Sequence, residues 1–190
     1  ELESVLAAGA DRVVVATGSR PARPWWAPGD AEWIVDVRDV LEGRVQPSGS
    51  VLVLDEIGFH HATSVAELLA DRGCGVEVIT PGMVVGQDLG VTLDMEGWWI
   101  RAGAKGIVQT TELVPMGVED HTVSFQHHPT GSMTERSADW MVLAVPSEPA
   151  EELYLGLLAA GVAVERIGDC VAPRRAHAAV VDGERVGAAL

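Results

Sequence analysis

Between the apolar run Val51-Leu52-Val53-Leu54 and a stretch that places Val65, Leu68 and Leu69 on one helical face lies the octapeptide Asp55-Glu56-Ile57-Gly58-Phe59-His60-His61-Ala62. A strand-to-helix turn of this kind is where a backbone can cradle phosphate. Glycines let the chain approach the anion, and the amides of the helix N-terminus point at it. The spacing that does so is G-x-G-x-x-G. The octapeptide keeps only Gly58 of such a set and carries two carboxylates, Asp55 and Glu56, where phosphate charge would come. Like charges ~4 Å apart in a partly solvated site repel by a few kcal/mol. Asp55, Glu56 and Gly58 are therefore the weaker candidates for nucleotide contact. The next strand ends in Thr80-Pro81, without the acidic residue that would accept from a ribose hydroxyl. A working NADH site at this turn is not expected.

Other reactive side chains form no recognisable constellation. His60-His61 and His127-His128 are adjacent pairs, and neighbours on a strand point to opposite faces, so neither makes an i, i+4 ligand pair. Cys74 and Cys170 are far apart and lack a CxxC partner, so cysteine ligands alone assemble no iron–sulfur cluster or zinc ribbon. Both read as buried or half-buried free thiols. No G-x-S-x-G elbow is present, and Gly131-Ser132 falls in an expected hairpin turn. Arg174 and Arg175 could reach a phosphate, but a solvated charged turn fits them better, with His177 exposed at the start of the last helix. No metal site and no catalytic residue is assigned.

The elements that must position these residues follow from the apolar pattern. Ala10–Gly18 reads as a β-branched strand ending in small residues, and Ser19–Asp30, with three prolines and Trp25-Trp26, as an extended connection packed on something. Val51–Ile79 reads as strand, helix and strand, with Gly73 closing the helix. A helix is expected over Leu93–Ala102, closed by Gly103. Short β segments follow at 106–110, 113–118 and 122–127, then a turn at Pro129–Ser132 and a buried strand over Asp139–Val145. A helix over Glu151–Ala160, a strand over Val162–Gly168 and a final helix over Ala176–Leu190 complete the chain. Alternating strands and helices imply an α/β, doubly wound, Rossmann-like architecture.

The chain is 190 residues long, with a formal net charge of −15. That sign steers it away from polyanionic nucleic acid and membrane surfaces. No apolar run approaches the ~20 residues of a membrane span, and Glu1-Leu2-Glu3-Ser4 lacks signal-peptide character. The expectation is a soluble, cytoplasmic protein, its acidity serving solubility or docking to a basic partner.

Three segments together carry a resemblance. Ala16-Thr17-Gly18 after Val13-Val14-Val15 looks like a strand end that returns toward a flavin nucleotide. Arg166-Ile167-Gly168-Asp169-Cys170 looks like a late Gly-Asp motif, whose aspartate meets the ribityl or ribose side of the cofactor. Val51–Ile79 sits between them, where a second nucleotide-binding domain is inserted. With the tail Gly168–Arg175 continued by Ala178–Leu190, the sequence resembles the C-terminal nucleotide-binding region of trimethylamine dehydrogenase-like and 2,4-dienoyl-CoA reductase-like flavoproteins, which carry an old yellow enzyme-type FMN barrel in front. The resemblance covers nearly all of this chain but only the last third of a family member.

The resemblance implies an FAD/NAD(P)-binding-type domain over 1–48 and 146–190, with a smaller Rossmann-like domain inserted at 49–145. It implies that Thr17, Gly18, Gly168 and Asp169 contact ADP or FAD, and that the inserted domain is a retained scaffold. The FMN barrel, with its cysteine-bound iron–sulfur cluster, and the first strand of the flavin-type domain are expected upstream of Glu1, which makes the chain a fragment. Partners implied are that upstream FMN-barrel domain and an electron-transfer flavoprotein or NAD(P)H; without the upstream portion some apolar surface is left exposed, so a homo-oligomer is expected. The function implied is the nucleotide-binding portion of an FMN-dependent oxidoreductase, of amine dehydrogenase or enoate/dienoyl-CoA reductase type, not catalytic by itself. The competing reading is a non-catalytic scaffold or docking module that binds no cofactor.

Overall fold

In a computed structural model that describes residues 1–189, the chain divides into two compact units, Glu1–Ala22 with Pro146–Leu190, and Arg23–Val145. The first unit holds helix α1 (Leu2–Ala7), strand β1 (Val13–Val15) and strand β2 (Ser19–Arg20). The second begins with strand β3 (Ile34–Asp36), helix α2 (Val37–Leu41), strand β4 (Ser50–Asp55), helix α3 (His60–Asp71) and strand β5 (Gly75–Ile79). It continues with helix α4 (Met95–Ala104) and strands β6 (Val108–Thr110), β7 (Leu113–Glu119), β8 (Thr122–His127), β9 (Met133–Ser137) and β10 (Trp140–Ala144). The chain then returns to the first unit with β11 (Glu148–Pro149), helix α5 (Glu152–Ala159), strand β12 (Val164–Arg166) and helix α6 (Ala176–Gly187).

The core of the second unit is a five-stranded sheet in the order β3-β10-β4-β5-β6, parallel throughout. Val51, Leu52, Val53 and Leu54 are all buried although their side chains alternate between faces, because helices or loops must cover both sides of a parallel sheet. Helix α3 lays Ala62, Val65, Ala66 and Leu69, each fully buried, into the same core. Each such Val or Leu contributes about 1.5–3 kcal/mol by leaving water. The helix ends where Gly73 takes φ +87°, the left-handed closure expected of it.

Residues 23–48, grouped with the flanking segments from sequence, pack with the second unit. Ile34 and Val35 pair with Met141 and Val142 and so extend the sheet by one parallel strand. Helix α2 then starts at Asp36, whose carboxylate accepts from the Arg38 amide at 2.8 Å.

Helix α4 begins and ends two residues later than expected. Leu93 takes a left-handed φ of +60°, which delays the start, and Gly103 lies inside the helix. The chain leaves it at Gly106, φ +69°. Trp98 is buried against the core while Trp99 stays in part exposed, as neighbours ~100° apart on a helix require.

Strands β7, β8 and β9 form a separate antiparallel sheet. Strand β9, Met-Thr-Glu-Arg-Ser, was not expected, because no apolar residue alternates along it; its backbone pairing with β8 holds it. The first unit contains a two-stranded parallel sheet, β1 with β12, and a short antiparallel pair, β2 with β11. Val15, Leu157 and Cys170 form its small core, joined by Leu2 and Val5 of α1.

Candidate functional site

The two chain segments that carry the glycine–aspartate resemblance meet in the first unit. Strands β1 and β12 run parallel with Val15 opposite Arg166, and the Ile167 amide donates to the Val15 carbonyl at 3.0 Å. Their C-terminal ends therefore open on the same side. There Ala16, Gly18, Gly168, Asp169 and Arg174 line an open cleft of about 470 Å³, closed at the back by Ala176 and Ala179 of α6.

Both glycines of this cleft turn the chain in the left-handed region, Gly18 at φ +75° and Gly168 at +63°. Gly168 has a second reason to lack a side chain. A Cβ there would lie 3.3 Å from the Ala179 Cβ, so its bareness lets α6 approach. Its amide donates to Asp182 Oδ2 at 3.1 Å.

Asp169 is held from both sides. The Arg174 amide donates to Oδ1 at 3.2 Å and the Ser19 hydroxyl to Oδ2 at 3.4 Å. The carboxylate is partly open to solvent and keeps lone pairs for another donor. The Arg174 guanidinium is bonded to Asp182 Oδ2 at 2.5 Å, which places one cation at the cleft wall, largely neutralised.

Thr17 has a different position. Its hydroxyl donates to the Ala150 carbonyl at 2.5 Å and lies 3.3 Å from Cys170 Sγ, a buried thiol that also faces that carbonyl at 3.5 Å. The threonine side chain thus ties the strand end to the segment before α5, and Gly18, whose carbonyl accepts from the Ala150 amide at 2.9 Å, completes the link.

The turn of the second unit is built around one buried carboxylate. Asp55 is 1% exposed; its Oδ1 accepts from the Gly58 amide and its Oδ2 from the Gly86 amide, each at 2.7 Å. Burial pushes this carboxyl above the usual range, while the Gly86 and Gly58 amides and the neighbouring His61 pull it part of the way back. Gly58 itself is left-handed, φ +67°, and its carbonyl accepts from the Asp88 amide at 2.7 Å. Glu56 is exposed. The Thr80 hydroxyl at the end of β5 accepts from the Gly82 amide at 3.1 Å. The cleft over this turn, about 230 Å³, is lined by Asp55, Glu56 and Asp88 among others. Two amides that could meet an incoming anion are already occupied by Asp55, and further carboxylates stand at the mouth.

Sequence reasoning singled out Gly18, Gly168 and Asp169, which line one cleft, and Asp55, Glu56 and Gly58, which line another. It missed Ser19, Gly86 and Asp182. Ser19 adjoins the resemblance but belongs to no motif. Gly86 lies 31 residues from Asp55, in a loop whose glycine carries no spacing signal. Asp182 is one acid among many until α6 is folded. Among the described residues, no group of three or more His, Cys, Asp or Glu side chains gathers as metal ligands would. No described helix is long and apolar enough to cross a membrane.

Comparison with known proteins finds homologues of the chain that are flavin-dependent amine or enoate oxidoreductases. No family model matches it. It is 30% identical to N,N-dimethylglycine/sarcosine dehydrogenase of Chromohalobacter salexigens over 93% of this chain and 31% of that protein. It is 28% identical to the multifunctional alkene reductase/demethylase OYE of Caballeronia cordobensis, over 100% of this chain and 32% of that protein. The structure of 6-hydroxypseudooxynicotine amine oxidase from Pseudomonas geniculata N1 superposes with a TM-score of 0.86 at 30% identity, covering 98% of this chain and 30% of that one. The chain spans about a third of the length of the curated relatives it matches.

Proposed function

We propose that this chain, a homologue of flavin-dependent amine and enoate oxidoreductases, is their nucleotide-binding portion, with the redox centre carried elsewhere in a longer polypeptide. The first unit is the adenine-nucleotide holder, for ADP or FAD. The second is a scaffold that no longer takes NAD(P)H. The reaction of the whole protein is the oxidation of an amine or the reduction of an activated alkene. FMN and an iron–sulfur cluster sit outside the residues described above. Electrons pass to or from an electron-transfer flavoprotein or NAD(P)H.

The observation that carries this reading is the meeting of Gly18, Gly168 and Asp169 on one cleft at the C-terminal ends of two parallel strands. Open α/β sheets bind their ligands outside those ends. The left-handed glycines bring the backbone close without a Cβ in the way. The Asp169 carboxylate, oriented by Ser19 and the Arg174 amide, would accept from a sugar hydroxyl. The Arg174 guanidinium at the cleft wall would have to leave Asp182 to meet a phosphate. A bound FAD would supply a redox-active ring, whereas ADP would act only as structural ballast; the residues named here bind and orient and move no proton.

A second observation supports a larger parent domain. A two-stranded parallel sheet is an unusual arrangement, since parallel strands are ordinarily found in larger sheets covered on both faces. Strands β1 and β12 pair only with each other among the described residues, and Val14 is in part exposed. Further strands donated by the rest of the polypeptide would complete that sheet.

Calorimetric titration with ADP, FAD, NADH and NADPH tests the assignment. The expected result is saturable binding of ADP or FAD, weakened by Asp169→Ala, and no binding of the nicotinamide nucleotides. Tight NADH binding abolished by changes at Gly58 would reverse the roles of the two units. The non-catalytic docking module, the competing reading, predicts that none of the four binds, even when the chain is joined to its preceding segment.

A further inference from the structure

A single oxygen, Oδ2 of Asp182 on α6, takes two donors from the cleft at the ends of β1 and β12. The Gly168 amide donates to it at 3.1 Å and the Arg174 guanidinium at 2.5 Å. The Asp182 side chain is 14% exposed, so water screens this ion pair less than it would a pair on the open surface. Among the described residues that line the cleft, Arg174 carries the one positive charge. The group best suited to a ligand's phosphate is therefore already bonded to an anion of the chain.

The pair is arranged for exchange. The Arg174 amide donates to Asp169 Oδ1 at 3.2 Å, so its side chain starts beside the carboxylate assigned to the sugar. Its Nε donates to the Ala172 carbonyl at 3.1 Å, which keeps the guanidinium at the wall whichever anion its outer nitrogens meet. If those nitrogens leave Asp182, the carboxylate is not orphaned, because the Gly168 amide still donates to the same oxygen. A half-buried charge stripped of every partner would resist such a move; this one keeps a donor. The arginine in turn gains phosphate oxygens, which match the fork of a guanidinium.

We propose that Asp182 is an internal competitor of the ligand's phosphate: in the free chain it holds Arg174, and a nucleoside diphosphate takes Arg174 from it on binding. The inference rests on the nucleotide assignment above and adds the residue that sets its affinity. If Arg174 is free of Asp182 about a tenth of the time, a phosphate that needs it binds about tenfold more weakly than it would to an unlatched cleft. An uncharged nucleoside, which meets Asp169 but brings no phosphate, meets no such competition. Asp182 thus sets the ratio of diphosphate to nucleoside affinity, acting through Arg174.

The test is calorimetric titration of the whole chain with ADP and, separately, with adenosine. Asp182→Asn keeps an oxygen for the Gly168 amide but no charge for Arg174. It should bind ADP about tenfold tighter than wild type and adenosine within about twofold. In the Arg174→Gln background the same change should bring no gain. Glu184→Gln removes an equal charge from an exposed position of α6 and should leave ADP within about twofold. ADP binding seen with Asp182→Asn and not with wild type would also support the proposal. Equal tightening by Glu184→Gln, or a gain that survives Arg174→Gln, would mean diffuse attraction and overturn it. If wild type binds ADP and Asp182→Asn binds it no tighter, Asp182 is only a clamp between α6 and the Gly168 turn; the proposal fails and the nucleotide assignment stands. If no form binds ADP or adenosine, the assignment fails and the proposal with it.

Discussion

Asp55 Oδ2 lies 2.7 Å from the amide nitrogen of Gly86, and Asp55 Oδ1 lies the same distance from the amide of Gly58. One buried carboxylate therefore fastens the turn after β4 to the loop after β5. Both fastened glycines are left-handed, Gly58 at φ +67° and Gly86 at +65°. In a dinucleotide-binding turn, backbone amides converge on a phosphate carried by the ligand. Here they converge on an anion carried by the chain, which accounts for a Rossmann-like unit that retains its shape without the glycine fingerprint.

Removal of that anion should be costly. Asp55→Ala leaves the buried Gly86 amide and the half-buried Gly58 amide without this acceptor, at about 1–3 kcal/mol each. The expected loss is thus about 2–6 kcal/mol in urea denaturation. Asp55→Asn, which keeps one acceptor oxygen, should lose less than Asp55→Ala. An alanine variant as stable as wild type would show that the two loops hold without the bridge.

The same residue sets a pH dependence. Burial raises the Asp55 carboxyl above its ordinary value of 3.8, so the folded chain keeps this proton over a window in which the unfolded chain has released it. Stability contributed by Asp55 therefore falls as pH rises from 3.8 through the folded value. The difference in unfolding free energy between wild type and Asp55→Asn, followed by denaturation across that range, should shift against wild type as pH rises. A difference that stays flat, or moves the other way, would contradict the assignment.

The two glycines of the cleft at the ends of β1 and β12 should differ in their tolerance of a methyl group. Gly18→Ala meets nothing within 4 Å and carries only the left-handed conformational cost, about 1–2 kcal/mol. Gly168→Ala carries that cost and also presses on the Ala179 Cβ at 3.3 Å. Thermal denaturation should rank Gly168→Ala as the more destabilised. The reverse order would mean that α6 yields freely.

How much of this was legible in the sequence depends on what each element is made of. The β4–α3–β5 unit was readable because Val51–Leu54 and the Val65–Leu69 face are apolar at strand and helix periods. Strand β9 was not, since Thr134, Glu135 and Arg136 offer no alternation and its hydrogen bonds to β8 appear only after folding. Helix α1 was missed because it is six residues long and is held by packing of Leu2 and Val5 rather than by propensity. Strand β3 was hidden in a proline- and tryptophan-rich stretch, and its partner Met141 lies more than a hundred residues on. Gly18, Gly168 and Asp169, which line one cleft, were singled out through a resemblance, not through spacing. Ser19 and Asp182, which orient Asp169 and Gly168, had no motif to mark them.

The bracing of residues 25–34 by Arg23 should be separable from the fold. Arg23→Ala removes three donors to the Pro28, Ala31 and Ile34 carbonyls, while the sheet core keeps its packing. Hydrogen exchange should show faster exchange at amides of residues 25–34, with β4 and β5 unchanged. Uniform loss of protection through β4 and β5 would instead make Arg23 part of the global fold.

The placement of the nucleotide is tested most directly by amide chemical-shift mapping of the 15N-labelled chain during titration with ADP. The account predicts saturable shifts at Gly18, Gly168 and Asp169, carried along α6 to Ala179, with the Gly58 and Gly86 amides unmoved because Asp55 already holds them. Shifts confined to Gly58 and Gly86, with the cleft at the ends of β1 and β12 silent, would contradict it and move the proposed nucleotide site to the second unit.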